Sequence, residues 1–351
     1  MLDADVEVDR REFTVRAAVQ VAPGERLALF GPSGAGKTTV LEAIAGLVRP
    51  ARGRVELSGR LLTSTEPPKV QLPPWQRRIG LLRQNPALFP HLSVRDNLRY
   101  AWRPSRSGRS PAELSQVAEA LGISGLLPAM PARLSGGQAH RVALGRLLLA
   151  RCDALLLDEP YTGLDASLRR SLTELVASLV QERSVPAVLV AHELLEAQAF
   201  ASRLAILDRG SVLQAGAPDE VVLGPASRRV AELVGYQGFV PAPGNATASP
   251  DGTVVGIHPE RVVAGAQRGR GVVLTGIISA CRPAGAGWEA DLAIGAATIT
   301  CRLPERPAVP GAEMVVTALD PPWFGPSGAA ITPPSGASTA GGPAGQDQVT
   351  R

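Results

Sequence analysis

The stretch RLALFGPSGAGKT, residues 26–38, decides the fold of this chain. An apolar run leads into a glycine-rich turn, and the turn ends in a lysine and a threonine that open a helical pattern. The turn fits the pattern G-x-x-x-x-G-K-[ST], in which glycines let consecutive backbone N–H groups surround a phosphate. The sequence therefore predicts a strand, a phosphate-binding loop and a helix, as in a parallel α/β domain.

The loop and the first helical residues are the candidate phosphate ligands. The helix N-terminus supplies N–H donors and positive potential. Lys37 can reach the β- and γ-phosphates of a nucleotide, and the hydroxyl of Thr38 can bind Mg²⁺. The predicted nucleotide-binding residues of this loop are Gly31, Ser33, Gly34, Ala35, Gly36, Lys37, Thr38 and Thr39.

A second apolar run, ALLL at residues 154–157, ends in two adjacent carboxylates. Asp158 is placed to hold Mg²⁺, directly or through water. Glu159 comes one residue later, projects in a different direction and can polarise a water molecule. Beside the phosphate loop, this pair narrows the prediction to a nucleoside triphosphate site with its metal.

The third motif is LSGGQ, residues 134–138, which precedes a long helical pattern. Ser135, Gly136 and Gly137 make a second helix N-terminus that is able to hold phosphate. One chain rarely needs two such cradles for one nucleotide. We therefore expect the second cradle to serve a nucleotide held by another copy of the chain.

With these motifs in this order, the chain resembles the ATP-binding cassette ATPases over about residues 1–235. The other matching pieces are Gln84 after the run IGLLR, the pair Leu164-Asp165, and His192 at the end of the run AVLVA. The resemblance implies ATP and Mg²⁺ as cofactors. It also implies a head-to-tail homodimer in which each ATP lies between the loop of Lys37 and the LSGGQ segment of the other copy.

The resemblance implies a catalytic and a metal-binding set. Glu159 would be the general base, His192 would contact the γ-phosphate, and Gln84 would sense Mg²⁺ and the attacking water. The implied catalytic residues are thus Glu159, His192 and Gln84, and the implied metal-binding residues are Thr38, Gln84 and Asp158.

The remaining implied roles concern the nucleotide and the dimer. The residues expected to bind the nucleotide of the other copy are Ser135, Gly136, Gly137 and Gln138. Asp165 would link the two sites across the dimer. Phe13 is the nearest aromatic candidate for stacking on adenine, and a plain core phenylalanine is the alternative.

The chain departs from the family pattern at Arg83, where an aromatic residue is common, and at His140, where a glutamine is usual.

Alternating short apolar runs and helical patterns predict an α/β domain with a largely parallel sheet at residues 1–235. The predicted strands are Arg26–Phe30, Ile79–Arg83, Ala154–Leu157, Ala187–Ala191 and Leu204–Leu207. The predicted helices are Lys37–Gly46, Gly136–Ala150, Ala166–Gln181 and Glu193–Ala201, with a mostly helical subdomain at about 85–133.

The pattern changes after residue 235. Residues 236–252 are rich in Pro, Gly, Ala and Ser and predict a linker. Short β-prone runs in residues 253–324 predict a small all-β domain. This segment resembles the oligonucleotide-fold-like regulatory domains of importer ATPases, the TOBE and Mop types. Residues 325–351 have almost no large apolar side chains and predict a disordered tail.

Composition excludes several classes of protein. The net charge of +4, from 36 basic and 32 acidic residues, is too balanced to indicate a nucleic-acid partner. No window holds eighteen apolar residues in a row, and the first residues lack the pattern of a signal peptide. The three cysteines have no metal-ligand spacing and are expected to be reduced thiols.

The run LFPHLSVRDNLRY, residues 88–100, narrows the resemblance to the ATP-binding subunit of molybdate importers. This implies integral membrane permease subunits as partners, an extracytoplasmic solute-binding protein as an indirect one, and a peripheral location at the cytoplasmic face of the bacterial inner membrane. Import of sulfate, ferric iron, a polyamine or a sugar is the alternative. An oxyanion-binding regulatory protein and an ATPase acting on nucleic acid are the alternatives of a different class.

Overall fold

The computed structural model describes residues 1–101, 111–242, 252–267, 271–307 and 309–333. Contacts divide the chain into two units, Met1–Pro218 and Asp219–Arg351. The first unit therefore ends before residue 235, the predicted domain boundary. The reason is that the short helices after residue 218 make their contacts within the second unit.

The first unit contains eleven strands and six helices among its described residues. The strands are β1 (Leu2–Asp9), β2 (Thr14–Val21), β3 (Arg26–Phe30), β4 (Arg52–Leu57), β5 (Arg60–Ser64), β6 (Val70–Gln71), β7 (Ile79–Leu82), β8 (Ala154–Asp158), β9 (Ala187–Ala191), β10 (Arg203–Asp208) and β11 (Ser211–Gly216). The helices are α1 (Lys37–Ala45), α2 (Val94–Ala101), α3 (Pro111–Ala120), α4 (Gly136–Leu149), α5 (Ala166–Arg183) and α6 (Leu194–Phe200).

The strands form one sheet in the order β6-β5-β4-β1-β2-β11-β10-β3-β9-β8-β7. From β10 to β7, neighbouring strands are parallel. Strands β8 and β9 are buried at every position, as an apolar strand covered on both faces must be. The carboxyl ends of β3, β9, β8 and β7 consequently meet at one edge of the sheet.

The strands β6, β5, β4, β1 and β2, which the sequence analysis did not predict, pair antiparallel, so the sheet is mixed instead of largely parallel. Strand β1 pairs with both β2 and β4, and β4 pairs with β5. Apolar and polar residues alternate along β1 and β2, so that one face is buried and the other is in contact with solvent. The buried face packs with α1 into the core of this unit.

A buried arginine fixes the C-terminal end of α1. Arg77 is 1% exposed, and its guanidinium donates to the carbonyl oxygen of Ile44 at 2.8 Å. It also donates to the Leu72 carbonyl and to the Thr63 hydroxyl, both at 2.8 Å. Gly46 ends the helix at φ 81°, and a Cβ there would lie 2.3 Å from Arg77 Nε. Arg77 thus joins α1 to the segment that leads into β7.

The segment 85–133 is less helical than predicted. Among its described residues it holds α2, α3 and two single helical turns at residues 124–126 and 131–133. Residues 85–93 form no helix, and Asn97 instead ties this loop to α2 by donating to three backbone carbonyls. Residues 102–110 lie outside the described part of the chain.

The second unit contains the predicted all-β domain. After the helices α7 (Pro218–Leu223) and α8 (Arg228–Leu233), its strands are β12 (Gly238–Pro241), β13 (Val254–Ile257), β14 (Val262–Ala264), β15 (Gly271–Ala284), β16 (Gly287–Ile294), β17 (Ala297–Leu303), β18 (Glu313–Leu319), β19 (Trp323–Phe324) and β20 (Ala330–Ile331). They form sheets in the orders β12-β13-β19-β20 and β14-β18-β15-β16-β17. Side chains of both sheets share one apolar core.

Two predicted irregular segments contain strands. The predicted linker at 236–252 includes β12, whose alternating buried residues pair with β13. The predicted tail at 325–351 begins with a turn and β20, and Ala330 donates its N–H to the Ala226 carbonyl. Backbone hydrogen bonds therefore order residues that carry few large apolar side chains. Residues 243–251 and 334–351 lie outside the described part.

Candidate nucleotide site

The candidate site residues lie where four parallel strands end at the same edge of the sheet. The loop of Gly31 follows β3, and Gln84 follows β7. Asp158 ends β8, with Glu159 next to it, and His192 follows β9. Open parallel sheets bind ligands at this edge.

The glycines of the loop are required by close backbone approach. Gly31 has φ 155°, and a Cβ there would lie 1.9 Å from the Leu207 carbonyl oxygen. Gly36 has φ 103°, and a Cβ there would lie 2.7 Å from a methyl group of Val15. Any side chain at either position would push the loop out of the shape that aims its N–H groups inward.

Lys37 is folded back over the loop that precedes it. Its ammonium donates to the carbonyl oxygens of Gly31 at 2.7 Å and Pro32 at 2.9 Å. Burial lowers the pKa of Lys37, against the opposing effect of the Glu159 and Asp158 carboxylates. A buried ammonium bonded only to neutral carbonyls favours the arrival of an anion, and phosphate meets that requirement.

Thr38 and Asp158 form the candidate metal site. The Thr38 hydroxyl donates to Asp158 Oδ1 at 3.1 Å. Burial raises the pKa of Asp158, and this hydrogen bond opposes the rise. A hydroxyl and a carboxylate oxygen at this separation are the hard ligands that Mg²⁺ takes together with phosphate oxygens. The residues present therefore fit Mg²⁺.

Gln84 and Glu159 face each other across the mouth of the site. Gln84 Nε2 donates to Glu159 Oε2 at 3.0 Å. Glu159 has φ 49°, in the left-handed region, while its N–H still bonds to the Val190 carbonyl of β9. The backbone turn at Glu159 thus directs its carboxylate away from the course of β8, at a cost in strain that functional sites often carry.

Lys37, Thr38, Gln84 and Glu159 line a cavity of about 510 Å³, a volume suited to a nucleotide, whereas Gly31 and Asp158 are not among its lining residues. The cavity is lined by Arg10, Arg11, Glu12, Phe13, Ser33, Gly34, Ala35, Gly36, Lys37, Thr38, Thr39, Gln84 and Glu159. The cavity thus brings together most of the predicted loop residues, both members of the Gln84–Glu159 pair and Phe13.

His192 lies beside the cavity without lining it. Its side chain is 48% exposed, and Nε2 lies 3.6 Å from Glu193 Oε1. Its position after β9, which lies between β3 and β8, places His192 at the same edge of the sheet as Glu159, which follows β8.

The LSGGQ segment and Asp165 act as helix caps in this chain. Ser135 caps α4 by accepting from the Gln138 N–H at 3.2 Å, and Gln138 Oε1 accepts from the Ser135 N–H at 2.9 Å. Asp165 caps α5 by accepting from the Leu168 N–H at 3.0 Å. None of the predicted residues Ser135, Gly136, Gly137, Gln138 and Asp165 lines the cavity.

Phe13 lies between the core and the cavity, and its stacking on adenine stays a prediction. It is partly buried, packs against the core of the first unit and also lines the cavity. Its ring lies against Gly210, where an added Cβ would come within 2.8 Å of Phe13 Cδ2.

Sequence reasoning missed the arginines at the cavity mouth. Arg10 donates to the Thr39 hydroxyl at 2.7 Å and pairs with Glu42 at 3.4 Å, and Arg11 lines the cavity. The adjacent pair just before Phe13 was the available signal. The role of Arg10 depends on Thr39 and Glu42, which lie about thirty residues further along the sequence and contact it only in the folded chain.

A strand–loop–helix phosphate cradle, a threonine–aspartate pair and a glutamine–glutamate pair at one edge of a parallel sheet define a P-loop nucleotide-binding protein. Residues 16–162 match a family model described as ABC transporter. The chain is 40% identical over 258 residues to the molybdenum import ATP-binding protein ModC of Mycobacterium tuberculosis, with 71% of this chain and 67% of that protein covered. The chain belongs to the ATP-binding cassette family of ATPases.

Other relatives carry different names. The Fe(3+) ions import ATP-binding protein FbpC of Pseudomonas fluorescens is 40% identical over 229 residues, with 64% of this chain and 63% of that protein covered. The chain thus spans less than two thirds of the length of this relative. A solved dimeric post-hydrolysis state of an ATP-binding cassette, bound to ADP and Pi, matches with a TM-score of 0.52 at 26% identity, covering 62% of this chain and 99% of that one.

Proposed function

We propose that this chain is the ATP-hydrolysing subunit of a membrane importer. The observation that carries the proposal is the convergence of Lys37, Thr38 and the Gln84–Glu159 pair on one cavity, with Asp158 hydrogen-bonded to Thr38. These groups supply a phosphate cradle, a metal site and a carboxylate beside it, which together suit hydrolysis of the γ-phosphate.

The residues would divide the reaction between them. The loop N–H groups and Lys37 bind the β- and γ-phosphates, and Phe13 and Arg11 face the rest of the nucleotide. Thr38 and Asp158 would hold Mg²⁺, which when bound neutralises charge on the phosphates. Glu159 takes the proton of the attacking water, and Gln84, already 3.0 Å from that carboxylate, orients the water.

We further propose that two copies meet head to tail around two ATP molecules. Ser135 and the glycines that follow it begin a 14-residue helix, α4, outside the chain's own cavity. Such an N-terminus can take the γ-phosphate held by the other copy, and Asp165 at the start of α5 would lie at the same interface. The dimeric state of the matched cassette structure supports this arrangement.

A groove in the first unit is the proposed docking site for a permease subunit. It has a volume of about 400 Å³ and lies between the end of β7, residues 87–101 and α4. The rings of Phe89 and Tyr100 are in tilted contact there with centroids 4.4 Å apart, and Arg146 lies over Phe89 at 5.0 Å. Tyr100 is 59% exposed, so a partner helix that covers the groove would bury it. Arg83 lines this groove and directly precedes Gln84 of the nucleotide site.

The proposed solute is an oxyanion, with molybdate first. The resemblance of residues 88–100 and the ModC relatives support molybdate. Relatives of similar identity are named for Fe(3+), sulfate/thiosulfate and trehalose/maltose import, so the cassette sequence alone does not select among these solutes. In this proposal an extracytoplasmic binding protein and the permease choose the solute, and the chain works at the cytoplasmic face of the membrane.

Solute uptake tests the proposal. Cells that lack this chain are complemented with the wild type or with Glu159→Gln, and uptake of molybdate, sulfate and Fe(3+) is measured in parallel. We expect the wild type alone to restore molybdate uptake. Loss and recovery of a different solute would reassign the substrate, and normal uptake of every solute without the chain would contradict the importer role.

A further inference from the structure

The carboxylate of Glu42 on α1 lies between two arginines that belong to different surfaces of the first unit. Its Oε2 pairs with Arg10 Nη2 at 3.4 Å, and its Oε1 accepts from Arg83 Nη2 at 3.2 Å. Arg10 lines the nucleotide cavity, and Arg83 lines the groove proposed for a permease subunit. One side chain of α1 is therefore ion-paired with a residue of each surface.

Glu42 is the best covered member of this group. Its side chain is 18% exposed, against 41% for Arg10 and 57% for Arg83. The carboxylate is carried by a regular helix, and each of its oxygens has a cationic partner. The arginines have longer and more exposed side chains, so they are the members that can change place.

Arg10 has a second anchor in the nucleotide cavity. Its Nε and Nη2 donate to the hydroxyl of Thr39 at 3.0 Å and 2.7 Å. Nη2 thus serves both Thr39 and Glu42, and its contact with Glu42 is the longer of the two. Because the guanidinium is shared, a stronger attraction to Glu42 would draw it away from Thr39, which lines the cavity.

The strength of that attraction depends on Arg83. Two cations beside one carboxylate share its charge, and removing one leaves more of the charge for the other. The Glu42 carboxylate also raises the pKa of Asp158, so its charge reaches the candidate metal site. Without Arg83, Glu42 would hold Arg10 more firmly and repel phosphate more strongly, and both effects weaken the binding of a nucleotide.

We infer that Glu42 is a positioning residue that couples the groove to the nucleotide cavity, because one carboxylate holds both Arg83 and Arg10. A partner that draws Arg83 away from Glu42 lowers the affinity for ATP, and bound ATP lowers the affinity for that partner by the same factor. The inference rests on the proposed function, because it needs ATP in the cavity. The link depends on Arg83, at which this chain departs from the family pattern.

A double-mutant cycle on the full-length chain tests the coupling. The dissociation constant of a fluorescent ATP analogue with Mg²⁺ is measured for the wild type, Arg83→Met, Glu42→Gln and the double variant. We expect Arg83→Met to raise Kd about threefold in the wild type, the size that a partly exposed ion pair allows. In the Glu42→Gln background the same change should leave Kd nearly constant, because no carboxylate remains whose charge can be redistributed.

Two further variants separate this link from a general loss of positive charge. Arg99 is also 57% exposed but pairs with Asp96, so Arg99→Met is the matched control and should have the same effect with and without Glu42→Gln. Arg83→Lys keeps the cation and should bind the analogue nearly as the wild type does. A loss in Arg83→Lys as large as that in Arg83→Met would overturn the inference, because the link acts through charge.

The cycle also distinguishes failure of the inference from failure of the proposed function. An equal rise in Kd from Arg83→Met in both backgrounds, in a chain that binds the analogue, would overturn the coupling and leave the proposed function standing. If the wild type does not bind the analogue, the inference and the proposed function fail together. Thermal unfolding without nucleotide confirms that each variant compared is folded.

Discussion

Replacing Arg77 by methionine tests whether its buried guanidinium holds the first unit together. Methionine keeps most of the apolar length but removes every donor. The substitution leaves the carbonyl oxygens of Ile44 and Leu72 and the hydroxyl of Thr63 without the partner that now lies 2.8 Å away. All three lose a charge-assisted hydrogen bond in a site that is 1% exposed.

The magnitude follows from two opposing terms. Each buried polar group left without its partner costs about 1–3 kcal/mol, so three of them cost several kcal/mol. Removing the buried charge also removes its desolvation penalty, which offsets part of this loss. That penalty is large enough to lower the pKa of Arg77 to about 10. We expect a net loss of about 3 kcal/mol in the free energy of unfolding.

Urea denaturation of the full-length chain, followed by far-UV circular dichroism, measures this loss. Arg77→Lys is the matched control: it keeps the charge, but its single ammonium cannot reach three partners at fixed directions, so an intermediate loss is expected. If Arg77→Met is as stable as the wild type, the guanidinium does not hold the end of α1 and the reasoning is refuted.

Three further predictions concern the loop, the helix cap and the buried acid. Gly31→Ala should abolish binding of a fluorescent ATP analogue, because the new Cβ would lie 1.9 Å from the Leu207 carbonyl oxygen; tight binding would contradict the loop geometry. Ser135→Ala should reduce the free energy of unfolding by about 1 kcal/mol through loss of the cap on α4, and an unchanged value would exclude that role. Burial raises the pKa of Glu196 from 4.5 to about 7, so the wild type should lose about 3 kcal/mol of stability as pH rises between these values. Glu196→Gln should lack this loss, and parallel pH profiles of the two proteins would contradict it.

The sequence was most informative where local chemistry determines structure. Strands β3 and β9 have the predicted bounds, because both are apolar runs bounded by loops. Helix α1 begins at Lys37, where the glycine-rich loop ends, and α4 begins after its Ser135 cap. In these segments the signal is carried by neighbouring residues, so no knowledge of the tertiary fold is needed.

The rest depends on residues that are distant in sequence. Arg77 looks like one of many surface arginines until Ile44 and Thr63 are folded around it. Glu196 likewise reads as an ordinary helix carboxylate, and its burial comes from packing against neighbouring segments. The alternation of apolar and polar residues along Leu2–Asp9 is a readable strand signal, but its pairing with β4 is set only in the fold.

The central claim is that Glu159 takes the proton of the water that attacks ATP, and that this ATP is held between two copies of the chain. The most direct test measures the rate of phosphate release and the molecular mass in solution of the wild type and of Glu159→Gln, each with MgATP. The account predicts phosphate release by the wild type, and a stable dimer without phosphate release by Glu159→Gln. Release at the wild-type rate by Glu159→Gln, or a variant that binds MgATP but stays monomeric, would contradict it.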